Sequence, residues 1–108
     1  MIEDTIAAIA TPVGRAGIGV IRISGAAAIG VADTVFKTKP RKDDLRPSDF
    51  ASHTVHLGAV IHPQTGEMID EALLTVFRSP YSYTGEDVAE ISCHGGTSTM
   101  RRVLDAVL

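Results

Sequence analysis

Y-S-Y-T-G-E-D-V-A-E-I-S-C-H-G-G-T, running from Tyr81 to Thr97, contains a loop, a strand and the start of a helix. Tyr81 to Asp87 carries Ser82, Gly85 and two acids without an apolar period, which predicts a surface loop, and Val88 to Cys93 then alternates as a strand does. Gly95-Gly96-Thr97-Ser98 ends the strand and opens a helix. Side chains alternate faces along a strand, so Ala89, Ile91 and Cys93 share one face while Glu90, Ser92 and His94 share the other. One face builds core; the other presents polar groups. Free backbone N–H groups at the helix start, next to paired glycines that let a ligand approach, make this the region in which to look for a binding site.

Upstream, Thr5 to Ala10 (T-I-A-A-I-A) is an apolar run too brief for a stable helix before Pro12, and it predicts a buried strand. Thr11 to Gly17 reads as a loop, and Gly19 to Ser24 as a second strand with Ile21 and Ile23 on one face and Val20, Arg22 and Ser24 on the other. Ser24 is placed to cap a helix in which Ala28, Ile29, Ala32, Val35 and Phe36 recur at helical spacing. Lys37 to Ser52 holds Pro40, Pro47 and a cluster of charges, and predicts a long, exposed and mobile connection. Val55, Leu57, Ala59 and Ile61 then alternate with Thr54, His56, Gly58 and Val60 as a third strand, and Pro63-Gln64-Thr65-Gly66 supplies hairpin turn chemistry. Met68 to Phe77 returns; its part from Ala72 onward is apolar at nearly every position, which predicts a central strand covered on both faces. Beyond the opening stretch, Met100, Val103, Leu104, Val107 and Leu108 share one helical face. That helix ends on two core-type residues without a cap, which reads as a cut through a longer protein.

The 108 residues amount to one domain, with apolar and charged fractions of 44% and 21% that are ordinary for a globular protein. A domain of this size is marginal on its own core and gains from a partner. The formal net charge of −3 argues against the chain being the main grip on nucleic acid, since phosphate binding needs local positive charge. The basic run Lys37, Lys39, Arg41, Lys42 is diluted by Asp43 and Asp44. One cysteine permits no intrachain disulfide, and with neither a signal peptide nor a bilayer-length apolar segment the chain reads as cytoplasmic, without a membrane partner.

Gly25 and Gly30 have the spacing of two P-loop glycines, but Val31-Ala32 stands where Lys and Ser/Thr would have to bind phosphate and magnesium. Gly14, Gly17 and Gly19 form the reverse of the dinucleotide fingerprint and lead into a strand, so they predict a tight loop that brings backbone near a ligand or a second subunit. Cys93 and His94 resemble a thiol and base pair, yet strand neighbours point to opposite faces, and a buried Cys93 is the better reading. His53, His56 and His62 have no accompanying ligand cluster, which leaves no metal site to predict. Arg22 and Glu90 are the candidate pair. From periodicity alone, a structural salt bridge between strands and a ligand role are equally good accounts of them.

With A-T-P-V-G-R-A-G-I-G-V-I-R-I-S-G at Ala10 to Gly25, D-E-A-L-L at Asp70 to Leu74 and S-Y-T-G-E-D-V-A-E-I-S-C-H-G-G at Ser82 to Gly96, the chain resembles the N-terminal domain of the tRNA-modification GTPase family MnmE, also called TrmE. The resemblance implies a compact α+β unit similar to the folate-binding part of aminomethyltransferases. Together with the elements above, that means a mixed sheet of about five strands with two or more helices packed on it. It also implies binding of a tetrahydrofolate derivative, the 5-formyl or 5,10-methylene form, with contacts that match Arg22 and Glu90; a further basic contact lies beyond Leu108. Members dimerise through this domain, for which Thr11 to Gly19 is the expected contact. They work with the flavoprotein MnmG (GidA) to install a carboxymethylaminomethyl-type group on the wobble uridine of certain tRNAs, the folate supplying the one-carbon unit. The helical and G domains of the family, with their GTP, Mg²⁺ and K⁺, lie outside residues 1–108, so no catalytic residue is expected here. Two other functions compete: a free-standing one-carbon transferase, and a purely structural dimerisation module in which Arg22 and Glu90 merely pair.

Overall fold

Alternation in the chain becomes a single sheet with both helices on one side. A computed structural model describes residues 5–10, 16–38 and 45–108. Its elements in order are β1 (Ile6–Ile9), β2 (Ala16–Ser24), α1 (Ala28–Val35), β3 (Phe36–Thr38), a 3-10 turn at Pro47–Asp49, β4 (Thr54–Ile61), β5 (Met68–Phe77), β6 (Val88–Gly95) and α2 (Thr97–Val107). The strands lie in the order β1-β2-β6-β5-β4-β3, and each described neighbour pair is antiparallel. The α+β class is as expected. The sheet has six strands because Phe36–Thr38, whose first residue also fits the helical period of α1, pairs with β4 instead of extending the helix.

The core forms where inward positions of neighbouring strands coincide. Register places Ile21 opposite Ile91 and Ile23 opposite Ala89, and it places Leu74 opposite Ile91 on the next strand. These residues are fully buried with Val76 and Val60 against Ala28, Ala32 and Val35 of α1 and Met100, Val103 and Ala106 of α2. Burying each such side chain is worth roughly 1.5–3 kcal/mol. Among the described residues the other face of the sheet carries no helix, which corrects the reading of β5: Ala72, Leu74 and Val76 are buried, but Leu73 is 43% exposed. In β4 the inward set is likewise Gly58 and Val60, while Val55 and Leu57 lie on the open face. β5 is apolar on both faces from Ala72 onward, and in β4 the more apolar set, Val55, Leu57, Ala59 and Ile61, is the one on the open face, so period alone does not say which face a helix will cover.

Three further expectations are corrected. Ser24 does not cap α1; Ala27 occupies the cap position without a side-chain bond, and Ser24 ends β2, buried, with its hydroxyl on the loop that follows β5. The loop expected at Thr11 to Gly17 falls partly outside the described residues, and Ala16 and Gly17 already belong to β2. The connection expected at Lys37 to Ser52 is not merely exposed chain. Pro47 and Phe50 are buried, and Arg78 at the end of β5 donates to the carbonyls of Ser48 and Phe50 at 3.0 and 2.7 Å.

Two glycines are fixed by close approach. A Cβ at Gly58 would overlap the carbonyl oxygen of Lys37 and meet the Phe36 ring at 2.6 Å, whereas at Gly19 it would strike only the sulfur end of Met100. Backbone cannot yield as a methionine tip can. Gly58→Ala is therefore expected to cost about 1–3 kcal/mol in denaturant melts, and Gly19→Ala less.

Candidate functional site on the open sheet face

Arg22 and Glu90 sit opposite each other on adjacent strands β2 and β6, on the face without helices. The Arg22 Nε–H donates to Glu90 Oε2 at 2.7 Å. Their side chains are 37% and 19% exposed, so the pair is accessible without being fully hydrated. A pair of this exposure contributes at most about 1 kcal/mol to stability, which makes stability a weak reason for its presence.

The segment 81–87 arches beside the pair and is held in place by its own hydrogen bonds. Ser82 Oγ donates to the Glu86 carbonyl at 2.5 Å, Ser79 Oγ to that of Gly85 at 2.9 Å, and the Ser79 N–H to Asp87 Oδ1 at 2.8 Å. Ser24 Oγ reaches Thr84 Oγ1 at 2.9 Å and Glu86 Oε1 at 3.2 Å, and the Gly25 N–H donates to the Asp87 carbonyl at 2.9 Å, which ties the loop to the end of β2. Gly85, at φ 77°, supplies the left-handed residue of the turn. Tyr83 is carried out over the site, with the Arg22 guanidinium 5.6 Å from its ring centroid. Beside it lies a cavity of about 440 Å³ lined by His53, Phe77, Tyr81, Ser82 and Tyr83.

Comparison with known proteins places the sequence in a family. A sequence model described as "GTP-binding protein TrmE N-terminus" matches residues 5–108. The chain belongs to the TrmE N-terminal family. It is 54% identical over 107 residues to the tRNA modification GTPase MnmE of Symbiobacterium thermophilum, covering 98% of this chain and 22% of that protein. It is 51% identical over 108 residues to MnmE of Moorella thermoacetica and 48% identical over 108 residues to MnmE of Carboxydothermus hydrogenoformans, in each case over 100% of this chain and 23% of the relative. The chain thus spans less than a quarter of the length of these relatives.

At the far end of β6 this TrmE N-terminal chain separates the residues that sequence places side by side. Cys93 points into the core, its thiol 3.5 Å from the Met100 sulfur, while His94 faces outward with Nδ1 2.8 Å from Asp70 Oδ1 and its backbone N–H donating to Asp70 Oδ2 at 2.9 Å. Burial, and after it the negative charge of Asp70, pushes the Cys93 thiol up to about 11. A thiol in that state is protonated at pH 8 and a poor nucleophile. Native protein is therefore expected to react with a thiol reagent far more slowly than denatured protein at pH 8, and its labelling rate should keep rising with pH up to about 11. Fast labelling of the native state would contradict the burial. Among the other histidines, His56 stacks on Phe50, His62 Nδ1 accepts from the Gln64 N–H at 3.2 Å, and His53 Nδ1 lies 2.8 Å from Ser52 Oγ. Among the described residues no group of three or more potential metal ligands converges, and no described helix is long and apolar enough to cross a membrane.

The residues that sequence reading missed are Tyr81, Tyr83, Phe77 and His53. The tyrosines stood in the quoted motif, and their one signal was two large rings in a segment with no apolar period.

Proposed function

We propose that this chain is the N-terminal, folate-binding and dimerising domain of a tRNA-modification GTPase. Glu90 would hold the donor edge of a reduced pterin and Arg22 would supply charge or hydrogen bonds elsewhere on the ligand. The observation that carries this reading is the meeting of Arg22 and Glu90 on an uncovered sheet face, beside a cavity large enough for a ring system. A carboxylate accepts two parallel hydrogen bonds, and the 2-amino group and ring N–H of a pterin present two donors side by side as a guanidinium does. Arg22 now uses the site as such a ligand would. The tetrahydrofolate derivative, 5-formyl or 5,10-methylene, would supply a one-carbon unit when bound; this chain's residues bind and orient it. GTP with Mg²⁺ and K⁺, the flavoprotein MnmG and the wobble uridine of tRNA belong to the activity proposed for the whole protein, carried out in the cytoplasm.

Dimerisation is the second part of the proposal. It is supported by the apolar residues Ile18, Leu57 and Leu73, which stay exposed on the same open face. Calorimetric titration of 5-formyltetrahydrofolate into the chain, with light scattering at high micromolar concentration, tests both parts. Saturable binding separates a folate module from a purely structural one, and a monomer at all concentrations would count against the dimer.

A further inference from the structure

We propose that the outer edge of β1 is a docking site for one further strand, running parallel to β1 and supplied by the polypeptide that follows α2 in the longer relatives. This stands independently of the folate reading, since it concerns backbone pairing at the border of the sheet and no ligand.

β1 is the last strand of the described sheet on its side. The Ala10 N–H donates to the Val20 carbonyl at 2.7 Å, and from there the register sets Ala8 opposite Arg22 and Ile6 opposite Ser24. Backbone groups alternate sides along an antiparallel strand, so Ile6, Ala8 and Ala10 bond to β2 while the N–H and C=O groups of Ala7 and Ile9 point away from the sheet. Among the described residues no strand pairs with β1 on that side. Natural edges are ordinarily blunted by charge, proline, a bulge or a covering segment. The strand Ile6-Ala7-Ala8-Ile9 has no charge and no proline, and its register with β2 is unbroken. Ile6 is 63% exposed, and Ala7 and Ile9 pack against the core while only partly buried. The core therefore runs up to this edge and is open sideways there. The opposite edge is different: β3 is three residues long, and the chain folds back on it, with the Thr38 hydroxyl donating to the Leu45 carbonyl.

Direction and handedness select the occupant. Successive antiparallel pairs make β2 and β3 point the same way and β6 point the other way. α1 carries the chain from β2 to β3 over one face of the sheet, moving away from β1, and α2 leaves β6 over that same face. Crossovers between parallel strands are right-handed in about 98% of cases. Reversing the strand while keeping the helix on the same face reverses the sideways step. A strand following α2 is thus delivered on the β1 side, parallel to β6 and so to β1. β2 and β1 fill the nearer positions, and the next is the outer edge of β1. α2 already reaches over β6, β2 and β1, with Leu104 against the same core as Ala7 and Ile9, so an ordinary connection of about 2–6 residues spans the remaining gap. The relatives have chain to supply: the matching family model describes an N-terminus, and this chain covers less than a quarter of their length. Paired there, the added strand covers the flank of Ala7 and Ile9 and fixes the following polypeptide rigidly to the sheet.

The test uses the segment of about 20 residues that follows the matched region in MnmE of Symbiobacterium thermophilum, enough for a connection and a strand, fused to the end of this chain. Amide hydrogen exchange is read by NMR. In the unfused chain the Ala7 and Ile9 amides should exchange much faster than those of Ile6 and Ala8. Fusion should slow Ala7 and Ile9 by roughly tenfold or more and leave Ile6 and Ala8 little changed, because local protection follows the new hydrogen bonds. Parallel order places Ile6 next to the beginning of the added strand and Ile9 next to its end, which cross-strand proton contacts report. Ala7→Pro removes an outward-facing donor and none of the β1–β2 bonds, so in the fusion it should return Ile9 to fast exchange. If proline disturbs β1 itself, the parent fusion decides alone. Unchanged exchange at Ala7 and Ile9 on fusion would overturn the proposal, as would antiparallel contacts. Protection of these two amides in the unfused chain that grows with protein concentration would also overturn it, because a second copy would then occupy the edge.

Discussion

Glu90→Gln is expected to weaken binding of 5-formyltetrahydrofolate by roughly ten- to 150-fold while leaving the fold nearly as stable as before. The affinity figure corresponds to about 1.5–3 kcal/mol, the usual worth of a hydrogen bond to a charged group. Gln has the shape of Glu but exchanges one acceptor for an NH₂ donor, so one ligand N–H would face another N–H. The stability term is small for a different reason. Arg22 keeps a carbonyl oxygen as partner, and a half-exposed ion pair is worth about 0–1 kcal/mol to begin with. A Tm loss of no more than about 4–8 °C follows for a domain near this size. The two readings of the pair therefore separate by which quantity moves. If Glu90→Gln binds as tightly as the parent, the pterin assignment is wrong. If the folded fraction keeps its affinity and a lower Tm is the sole effect, Arg22 and Glu90 are a structural pair.

The pairing itself was only half legible. Alternation placed Glu90 on the polar face of β6 and Arg22 on the polar side of β2, and both assignments agree with the burial of Ala89, Ile91, Ile21 and Ile23. That β2 lies beside β6 is a contact across 68 positions in the chain, which no local period contains. The same limit hid the open face. Leu57 looks like core in sequence because it shares a face with Val55, Ala59 and Ile61, and Leu73 because β5 is apolar on both sides from Ala72 onward; only the placement of α1 and α2 leaves them exposed. Tyr81 and Tyr83 were unreadable for the opposite reason. They belong to a loop shaped by side-chain bonds to its own backbone and to Ser24, and such bonds have no periodic signature.

Phe50→Ala is expected to be the most destabilising of these changes, at about 3–5 kcal/mol. Sequence gave no reason to expect it, since Phe50 is a lone aromatic in a charged, proline-containing segment. In the fold it is 2% exposed, and its ring lies over that of His56 with centroids 3.5 Å apart and planes at 16°. Arg78 donates from Nε and Nη2 to the Phe50 carbonyl at 3.2 and 2.7 Å, so the backbone at this point is fixed as well as the ring. With both held, the surroundings cannot close around the space an alanine would leave, and the cavity adds to the lost transfer energy. Against a total stability of about 5–15 kcal/mol for an ordinary domain, such a loss lowers Tm by at least about 10 °C and can leave the protein largely unfolded when warm. An exposed connection would behave otherwise, because surface substitutions stay within about 0.5 kcal/mol. Thermal and denaturant melts of Phe50→Ala therefore decide whether the segment 47–52 is part of the core. A melting curve superimposable on the parent's would return it to the solvent-exposed linker that its composition alone describes.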